Sequence, residues 1–150
     1  MPNLYDPEFD AERDDPPYRW RRAQLGLQAG ARALGASLFE LPPGASTFPL
    51  HIHHHNEELV VVISGRPTLH TGAHERDLAP GDVVACPAGR TGAHRIDNRG
   101  GEPVRVFIAS TMHSPEINEY PETGQFRVRD HAPGAAPHAG ALDRYLRPDD

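Results

Sequence analysis

The chain has 150 residues, a length typical of a single domain, and a formal net charge of −6 at pH 7. This negative charge argues against a nucleic-acid partner, and the sequence contains no run of about 18 apolar residues that would cross a membrane. It has one cysteine, Cys86, and no charged-then-apolar leader after Met1, so we expect no intramolecular disulfide and a cytoplasmic location.

The two ends of the chain differ in composition from its middle. The first 18 residues are acidic and contain four prolines, so we predict an extended N-terminal arm over residues 1–18. Residues 131–150 open with a stretch rich in alanine, glycine and proline, and we predict a flexible C-terminal tail there. The domain between them then spans residues 19–130 and is long enough to bury a sizeable core.

The middle of the chain predicts many short strands rather than long helices, because 16 prolines and 14 glycines punctuate the whole sequence. The predicted strands cover residues 20–27, 33–41, 50–54, 58–64, 67–71, 74–78, 83–86, 94–97, 104–110 and 125–129. Apart from the last of these strands, residues 111–130 are predicted to be loop-like. Short strands that recur every 8–12 residues or so, with turns between them, are typical of an all-β sandwich or barrel.

A group of histidines and one glutamate lies on these predicted strands. His51 and His53 alternate along one strand, so their side chains point to the same face. Glu58 opens the next strand, and a turn at residues 56–57 would bring it back beside the two imidazoles. His94 begins a later strand and is the fourth candidate. Imidazole and carboxylate ligands suit Fe, Mn, Zn or Ni, so the sequence predicts a divalent metal site at these four residues.

Two neighbouring residues are rivals for this predicted ligand set. His55 has the same strand parity as His51 and His53, whereas His54 faces the other way. Glu57 is the matching rival of Glu58, although Val60 and Val62 continue the face of Glu58. The sequence alone leaves open whether His55 or Glu57 replaces one of the four predicted ligands.

Two linked motifs that contain glycine and histidine resemble those of the cupin family. The first consists of Gly44, His51, His53, Glu58 and Gly65, and the second of Gly81, Pro87, Gly89, His94 and Asn98. Compared with the family pattern, one extra residue precedes His51 and two precede His94, which indicates small loop insertions. The resemblance covers roughly residues 33–110 and includes a single motif pair.

This resemblance implies a double-stranded β-helix, an all-β, jelly-roll-like barrel that holds the metal inside and forms a homodimer. Cupins include dioxygenases, sugar-phosphate isomerases, epimerases and proteins without enzymatic activity. We therefore expect a small metalloenzyme, of dioxygenase or of sugar or sugar-phosphate isomerase or epimerase type, that acts on a small polar or anionic molecule. The alternative is a non-enzymatic domain that binds or senses a carbohydrate or a carboxylate. The sequence identifies no catalytic residue beyond the predicted metal ligands.

Overall fold

The computed structural model describes residues 1–131 and 139–147. Its strands are β1 (Ala11–Asp15), β2 (Tyr18–Ala23), β3 (Leu34–Leu41), β4 (Ile52–His53), β5 (Glu58–Ser64), β6 (Thr68–His70), β7 (Glu75–Asp77), β8 (Val83–Cys86), β9 (Arg95–Asp97), β10 (Val104–Thr111), β11 (Glu116–Tyr120), β12 (Gln125–Arg129) and β13 (Asp143–Leu146). A four-residue helix, α1 (Leu25–Gln28), follows β2, and a short 3-10 turn covers Arg90–Gly92.

The strands form two antiparallel layers. The first layer is a six-stranded sheet in the order β1-β2-β3-β10-β5-β8. The second layer combines a four-stranded sheet, β13-β12-β11-β4, with a three-stranded sheet, β7-β6-β9. An isolated antiparallel bridge between His51 and His94 joins these two smaller sheets. Two layers of short antiparallel strands, entered alternately along the chain, make a double-stranded β-helix.

The main core lies between the first layer and the three-stranded sheet. Val60 and Val62 of β5 are buried, and Val106 of β10 lies directly opposite Val62. Leu69 of β6 and Ile96 of β9 pack into the same cluster from the second layer. Full burial of one such aliphatic side chain contributes about 1.5–3 kcal/mol, so this alternating inward face holds the two layers together.

The predicted all-β barrel is therefore confirmed, with differences at both ends of the chain. Within the predicted arm, β1 pairs with β2 and extends the six-stranded sheet. Within the predicted tail, β13 pairs with β12, and residues 132–138 and 148–150 of that tail lie outside the described residues. In the part of the chain that the structure describes, no helix is long and apolar enough to span a membrane.

Strand β11 lies in a stretch that the sequence predicts to be loop-like. Its inward-facing residues are polar, and Glu116 and Asn118 are buried, whereas Ile117 between them is 39% exposed. This inverts the alternation from which a half-buried strand is normally recognised. The polar inner face of β11 is part of the site described next.

Candidate metal centre

Strand pairing places the three candidate histidines side by side. His51 and His94 exchange two backbone hydrogen bonds, with N–O distances of 3.3 and 3.0 Å. Because directly opposed residues of an antiparallel pair project to the same face, their ring centroids lie only 4.5 Å apart. His53 follows His51 by two residues and shares its face, with the two ring centroids 5.0 Å apart.

Glu58 approaches these rings from the opposite layer. It lies on the inward face of β5, and one carboxylate oxygen, Oε2, is 3.0 Å from Nε2 of His94 and 3.4 Å from Nε2 of His53. The ligand atoms of His51, His53 and Glu58 all lie within 4.8 Å of one another. His94 is not part of this triplet, but it contacts both Glu58 and His51. Atoms that share a metal ion at about 2.0–2.2 Å lie roughly 3 Å apart, so this donor set fits a divalent ion.

Hydrogen bonds to the backbone fix the tautomers of two of these rings. Nδ1 of His51 lies 3.0 Å from the carbonyl oxygen of Pro49, and Nδ1 of His94 lies 2.9 Å from that of Gly92. A carbonyl oxygen only accepts, so each Nδ1–H must donate, and Nε2 is left to face the cluster. This is the arrangement in which a histidine presents a lone pair to a metal ion.

The loop before His94 positions the carbonyl group of Gly92, which is the backbone partner of the His94 ring. A Cβ atom added to Gly92 would lie 1.8 Å from the carbonyl oxygen of Pro87. Any other residue at this position would push the 3-10 turn away from Pro87. The carbonyl group of Gly92 orients the ring of His94. The close approach of Gly92 to Pro87 therefore also determines how this ring faces the candidate site.

The charges of the cluster are strongly coupled. Burial, together with His94 and His53, lowers the pKa of His51 to about 3, so this ring is neutral at pH 7. Burial also opposes a charge on His53, but Glu58 and other carboxylate contacts outweigh it and raise the pKa to about 9. Burial alone would raise the pKa of Glu58. The two histidines that contact it, His53 and His94, outweigh burial, so the net effect is a pKa well below the usual value.

His94 shows the same balance as His53. Burial lowers its pKa, but contacts with the Cys86 thiol and the Glu58 carboxylate raise the pKa to about 10. Without a metal ion, protons therefore lie between Glu58 and the Nε2 atoms of His53 and His94. A divalent cation bound there would replace these protons as the positive charge that holds the cluster together.

The cluster lies in the wall of a cavity of about 640 Å³. Phe48, Tyr120 and Ile108 contribute apolar surface to this cavity. Four arginines also line it, namely Arg22, Arg32, Arg127 and Arg129, whereas Glu58 is the only carboxylate among its described lining residues. Arg22 and Arg127 pair with Asp10 and Asp143 outside the lining, whereas Arg32 and Arg129 form no ion pair among the described residues. The lining therefore contains more cationic than acidic side chains, although the chain as a whole is acidic.

Comparison with known proteins matches both the sequence and the fold. A family model described as a cupin domain matches residues 37–110, which include all four candidate ligands. The two-layered barrel around these residues agrees with cupin structures over most of the chain. The protein belongs to the cupin superfamily.

Several solved structures are similar to this cupin, and they differ in sequence identity and in how much of the chain they match. A proposed sugar phosphate isomerase from Acidithiobacillus ferrooxidans is 26% identical, with a TM-score of 0.78 over 91% of this chain and 81% of the other. A cupin sugar phosphate isomerase from Silicibacter pomeroyi is 27% identical, with a TM-score of 0.77 over 87% of this chain and 77% of the other. The polyketide cyclase RemF from Streptomyces resistomycificus, at 22% identity and a TM-score of 0.60 over 74% of this chain and 78% of the other, shares only the fold. No curated protein matches the sequence.

The structure places the two rival residues away from the cluster. His55 is exposed, and its Nδ1 lies 2.8 Å from the carbonyl oxygen of Pro115, while its ring stacks on that of His113 at 5.0 Å. Glu57 is exposed as well. The four predicted residues are therefore the histidines and the carboxylate that this cupin brings together around one point.

Two residues of β11 support His53 from behind, and the sequence analysis did not identify them. Nδ1 of His53 lies 2.8 Å from Nδ2 of Asn118 and 3.5 Å from Oε1 of Glu116. Glu116 is completely buried, its Oε2 accepts from the amide of Asn56, and its Oε1 has no hydrogen-bond partner among the described residues. A buried carboxylate beside a ligand histidine is a common way to orient that ring toward a metal ion.

Proposed function

We propose that this cupin holds one divalent metal ion through His51, His53, Glu58 and His94, and that it is a metal-dependent enzyme of the sugar-phosphate isomerase or epimerase type. Its substrate is a small anionic molecule that enters the cavity. The observation that carries this proposal is the composition of the cavity lining, which combines three imidazoles and one carboxylate with four arginines, two of them paired with carboxylates outside the lining. The nitrogen and oxygen donors suit Fe, Mn, Zn or Ni.

Two further observations support this reaction type over the dioxygenase alternative. Two similar structures with more than 25% identity are both named as sugar phosphate isomerases, and one of these names is itself a proposal. The arginines favour an anionic substrate, and a phosphate ester is one such molecule. Oxygen activation alone would not require this positive lining.

The bound metal ion would supply a Lewis acid that polarises a carbonyl or hydroxyl oxygen of the substrate. The side chains of this cupin would bind and orient the substrate. Burial, together with Tyr145, raises the pKa of Tyr120 to about 12, so its hydroxyl group stays protonated and can donate a hydrogen bond to a substrate oxygen. The apolar ring of Phe48 lies 5.9 Å from that of His51, between centroids, and would limit the access of water to this side of the cluster.

A second candidate function is binding without catalysis. An isomerase needs a group that removes a proton, and Glu58 is the only carboxylate among the described lining residues. Both His53 and His94 already contact it. A domain that binds or senses an anionic carbohydrate or a carboxylate would need no such base.

Elemental analysis and a turnover assay together test the proposal. The purified protein, reloaded in turn with Fe, Mn, Zn and Ni, would be incubated with a panel of aldose and ketose phosphates, and interconversion would be followed by NMR. We expect one metal ion per chain and interconversion of at least one pair. The matched variants are His53→Ala, which should lose both properties, and His54→Ala, which should keep both. Metal and sugar-phosphate binding without turnover would favour the binding function, and absence of any bound metal would contradict the proposal.

The assembly and location of this cupin also remain proposals. Leu27 and Leu34 are 59% and 63% exposed and lie at the mouth of the cavity, where a second copy would cover them in a homodimer. A mass of one chain in sedimentation at micromolar concentration would contradict this assembly. The cytoplasmic location predicted from the sequence stays a prediction.

A further inference from the structure

Two arginines of β12 face the cavity beside the histidine cluster. Arg127 and Arg129 are two residues apart on the strand, so their side chains project to the same face, and both line the cavity. We propose that Arg127 and Arg129 form a subsite that binds the phosphoryl or carboxylate group of the molecule held in the cavity. This inference rests on the proposed function, since it names the part of the chain that recognises the anionic end of the substrate.

The register of the sheet places this subsite next to the metal cluster but not within it. His53 of β4 lies opposite Asn118 of β11, which in turn lies opposite Arg127 of β12. These three residues form one row across three neighbouring strands and therefore share a face. Strands in a sheet are about 4.8 Å apart, so the backbones of His53 and Arg127 are separated by roughly 10 Å. A small molecule fits between an anion-binding end and a metal-binding end at this separation.

A single amide connects the two ends. The side-chain oxygen of Asn118 accepts a hydrogen bond of 3.0 Å from Nη2 of Arg129, and its nitrogen lies 2.8 Å from Nδ1 of His53. Asn118 therefore lies between the guanidinium group of Arg129 and the ring of His53 and contacts both. Because its amide nitrogen only donates, the contact with Nδ1 of His53 is a hydrogen bond when that nitrogen carries no proton.

The two arginines differ in how their charge is balanced. Arg127 makes a two-point contact with Asp143, with both N–O distances at 2.8 Å, which fixes the plane of its guanidinium group. Arg129 forms no ion pair within the described residues, and its buried Nε has no hydrogen-bond partner there. Burial and the charge of Arg127 lower the pKa of Arg129 by more than the carboxylates of Asp143 and Glu116 raise it, although an arginine remains charged at pH 7.

An uncompensated cation in a partly buried position is costly unless an anion accompanies it. Two carboxylates lie opposite Arg129 in the sheet, Glu116 on one side and Asp143 on the other. The carboxylate of Glu116 turns toward His53 and that of Asp143 pairs with Arg127, so neither makes an ion pair with Arg129. Arg105 and Arg99, by contrast, each have such a partner within the chain, in Glu40 and Glu75. An anion from the bound molecule would supply the partner that the chain itself does not give Arg129.

Calorimetric titration with inorganic phosphate, and separately with acetate, tests this subsite. The titrations would be run on the protein as purified and after treatment with a chelator, because phosphate also binds metal ions. In Arg129→Gln we expect the affinity for one of these anions to fall about tenfold or more, the effect of losing a charged hydrogen-bond donor. Arg144→Gln is the matched control, since Arg144 is exposed and lies opposite Val128 on the other face of the same sheet.

The outcomes separate this inference from the proposed function. Equal affinities of wild type and Arg129→Gln, with metal content unchanged, would overturn the subsite and leave the metal centre intact. A wild type that binds phosphate after chelation but never retains a metal ion would support the subsite and contradict the proposed function. Preference for phosphate or for acetate identifies the anionic group.

A measurement on the wild type covers the case in which Arg129→Gln does not fold. Arginines would be modified with phenylglyoxal, with and without phosphate, and each site would be quantified by mass spectrometry. We expect phosphate to slow the modification of Arg129 at least severalfold and to leave Arg144 unchanged. Equal protection of both residues, or of neither, would overturn the subsite.

Discussion

His53 and His54 are adjacent in sequence, and each meets a glutamate on its own side of the strand. On the outer side, Nε2 of His54 lies 2.9 Å from Glu119, and Arg90 contacts the other oxygen of that carboxylate at 2.9 Å. On the inner side, His53 lies between Glu58 and Glu116, and no arginine pairs with either carboxylate among the described residues. The outer carboxylate is matched by a permanent cation, whereas the inner carboxylates are matched only by imidazoles, whose protons a metal ion could replace.

This difference shows how the fold separates a surface contact from a candidate site. Outside the cavity, the carboxylate of Glu119 is neutralised by Arg90, whose charge is permanent. Inside, Glu58 is matched only by imidazoles, which give up a proton when they bind a metal ion. Variants that remove one side chain from the inner group, compared with variants that remove its counterpart from the outer group, therefore test whether the inner group is a metal site.

The largest expected effect is the loss of metal in His53→Ala and in His94→Ala. Each variant removes one nitrogen donor, and we expect metal affinity to fall by more than about a hundredfold, beyond the roughly 10–100-fold effect of losing a supporting contact. Elemental analysis after dialysis against metal-free buffer measures the retained metal. His54→Ala removes the outer imidazole and should retain a full complement. Full occupancy in both inner variants would refute the four-residue site.

Removal of the metal should destabilise the protein, because an ion that binds only the folded state stabilises it. Metal at about 100 times its dissociation constant contributes roughly 2.7 kcal/mol. For a domain of this size, that corresponds to a fall in melting temperature of roughly 5–10 °C on addition of a chelator. Differential scanning calorimetry measures the shift. His53→Ala should melt at the same temperature with and without the chelator, and an equal shift in both proteins would point to a metal bound elsewhere.

A smaller effect is expected from Glu116→Gln, which keeps the shape of the side chain but removes its charge. If Glu116 orients His53 toward the metal, affinity should fall roughly 10–100-fold. Competition with a chromogenic chelator measures this change. The matched control is Glu119→Gln, since Glu119 is also buried and lies on the same strand but on its outer face. Equal effects of the two substitutions would show that the loss comes from a disturbed strand and not from the contact with His53.

Three of the four candidate ligands, His51, His53 and Glu58, could be predicted from sequence because local rules bring them together. Strand parity puts His51 and His53 on one face, and a short turn returns the chain to Glu58. The bridge between His51 and His94 is not local, but the resemblance to the cupin motifs predicted that His94 belongs to the same site. The structure brings all four residues to one point, and whether a metal ion binds there stays a prediction.

The residues behind and beside the ligands could not be predicted in the same way. Glu116 and Asn118 reach His53 only because β11 pairs with β4, an arrangement that depends on the whole barrel. Their strand also has polar residues on its inner face, so its alternation gave no signal of burial. The strand of Arg127 and Arg129 was predicted with the bounds that the structure shows, but the sequence did not indicate which face of the strand lines the cavity.

The smallest expected effect concerns an outer carboxylate, Glu40, which lies between Arg21 and Arg105 on neighbouring strands. Its side chain is only 16% exposed, and it contacts both guanidinium groups. Burial alone would raise the pKa of Glu40, but the two arginines outweigh burial and lower it below the ordinary value of 4.5. Such a group stabilises the folded state above pH 4.5, and the contribution is lost as the pH falls through the lowered pKa.

Glu40→Gln should therefore lower the free energy of unfolding at pH 7 by roughly 1 kcal/mol, or the melting temperature by roughly 2–4 °C. The difference from wild type should narrow as the pH is taken below 4.5, because the wild-type carboxylate then becomes protonated and neutral like the glutamine. Thermal melts at a series of pH values measure both effects. Glu57→Gln, at an exposed position without an ion pair in the described chain, should show neither. Metal content should stay unchanged in both variants, since an outer carboxylate matched by arginine has no cation to lose.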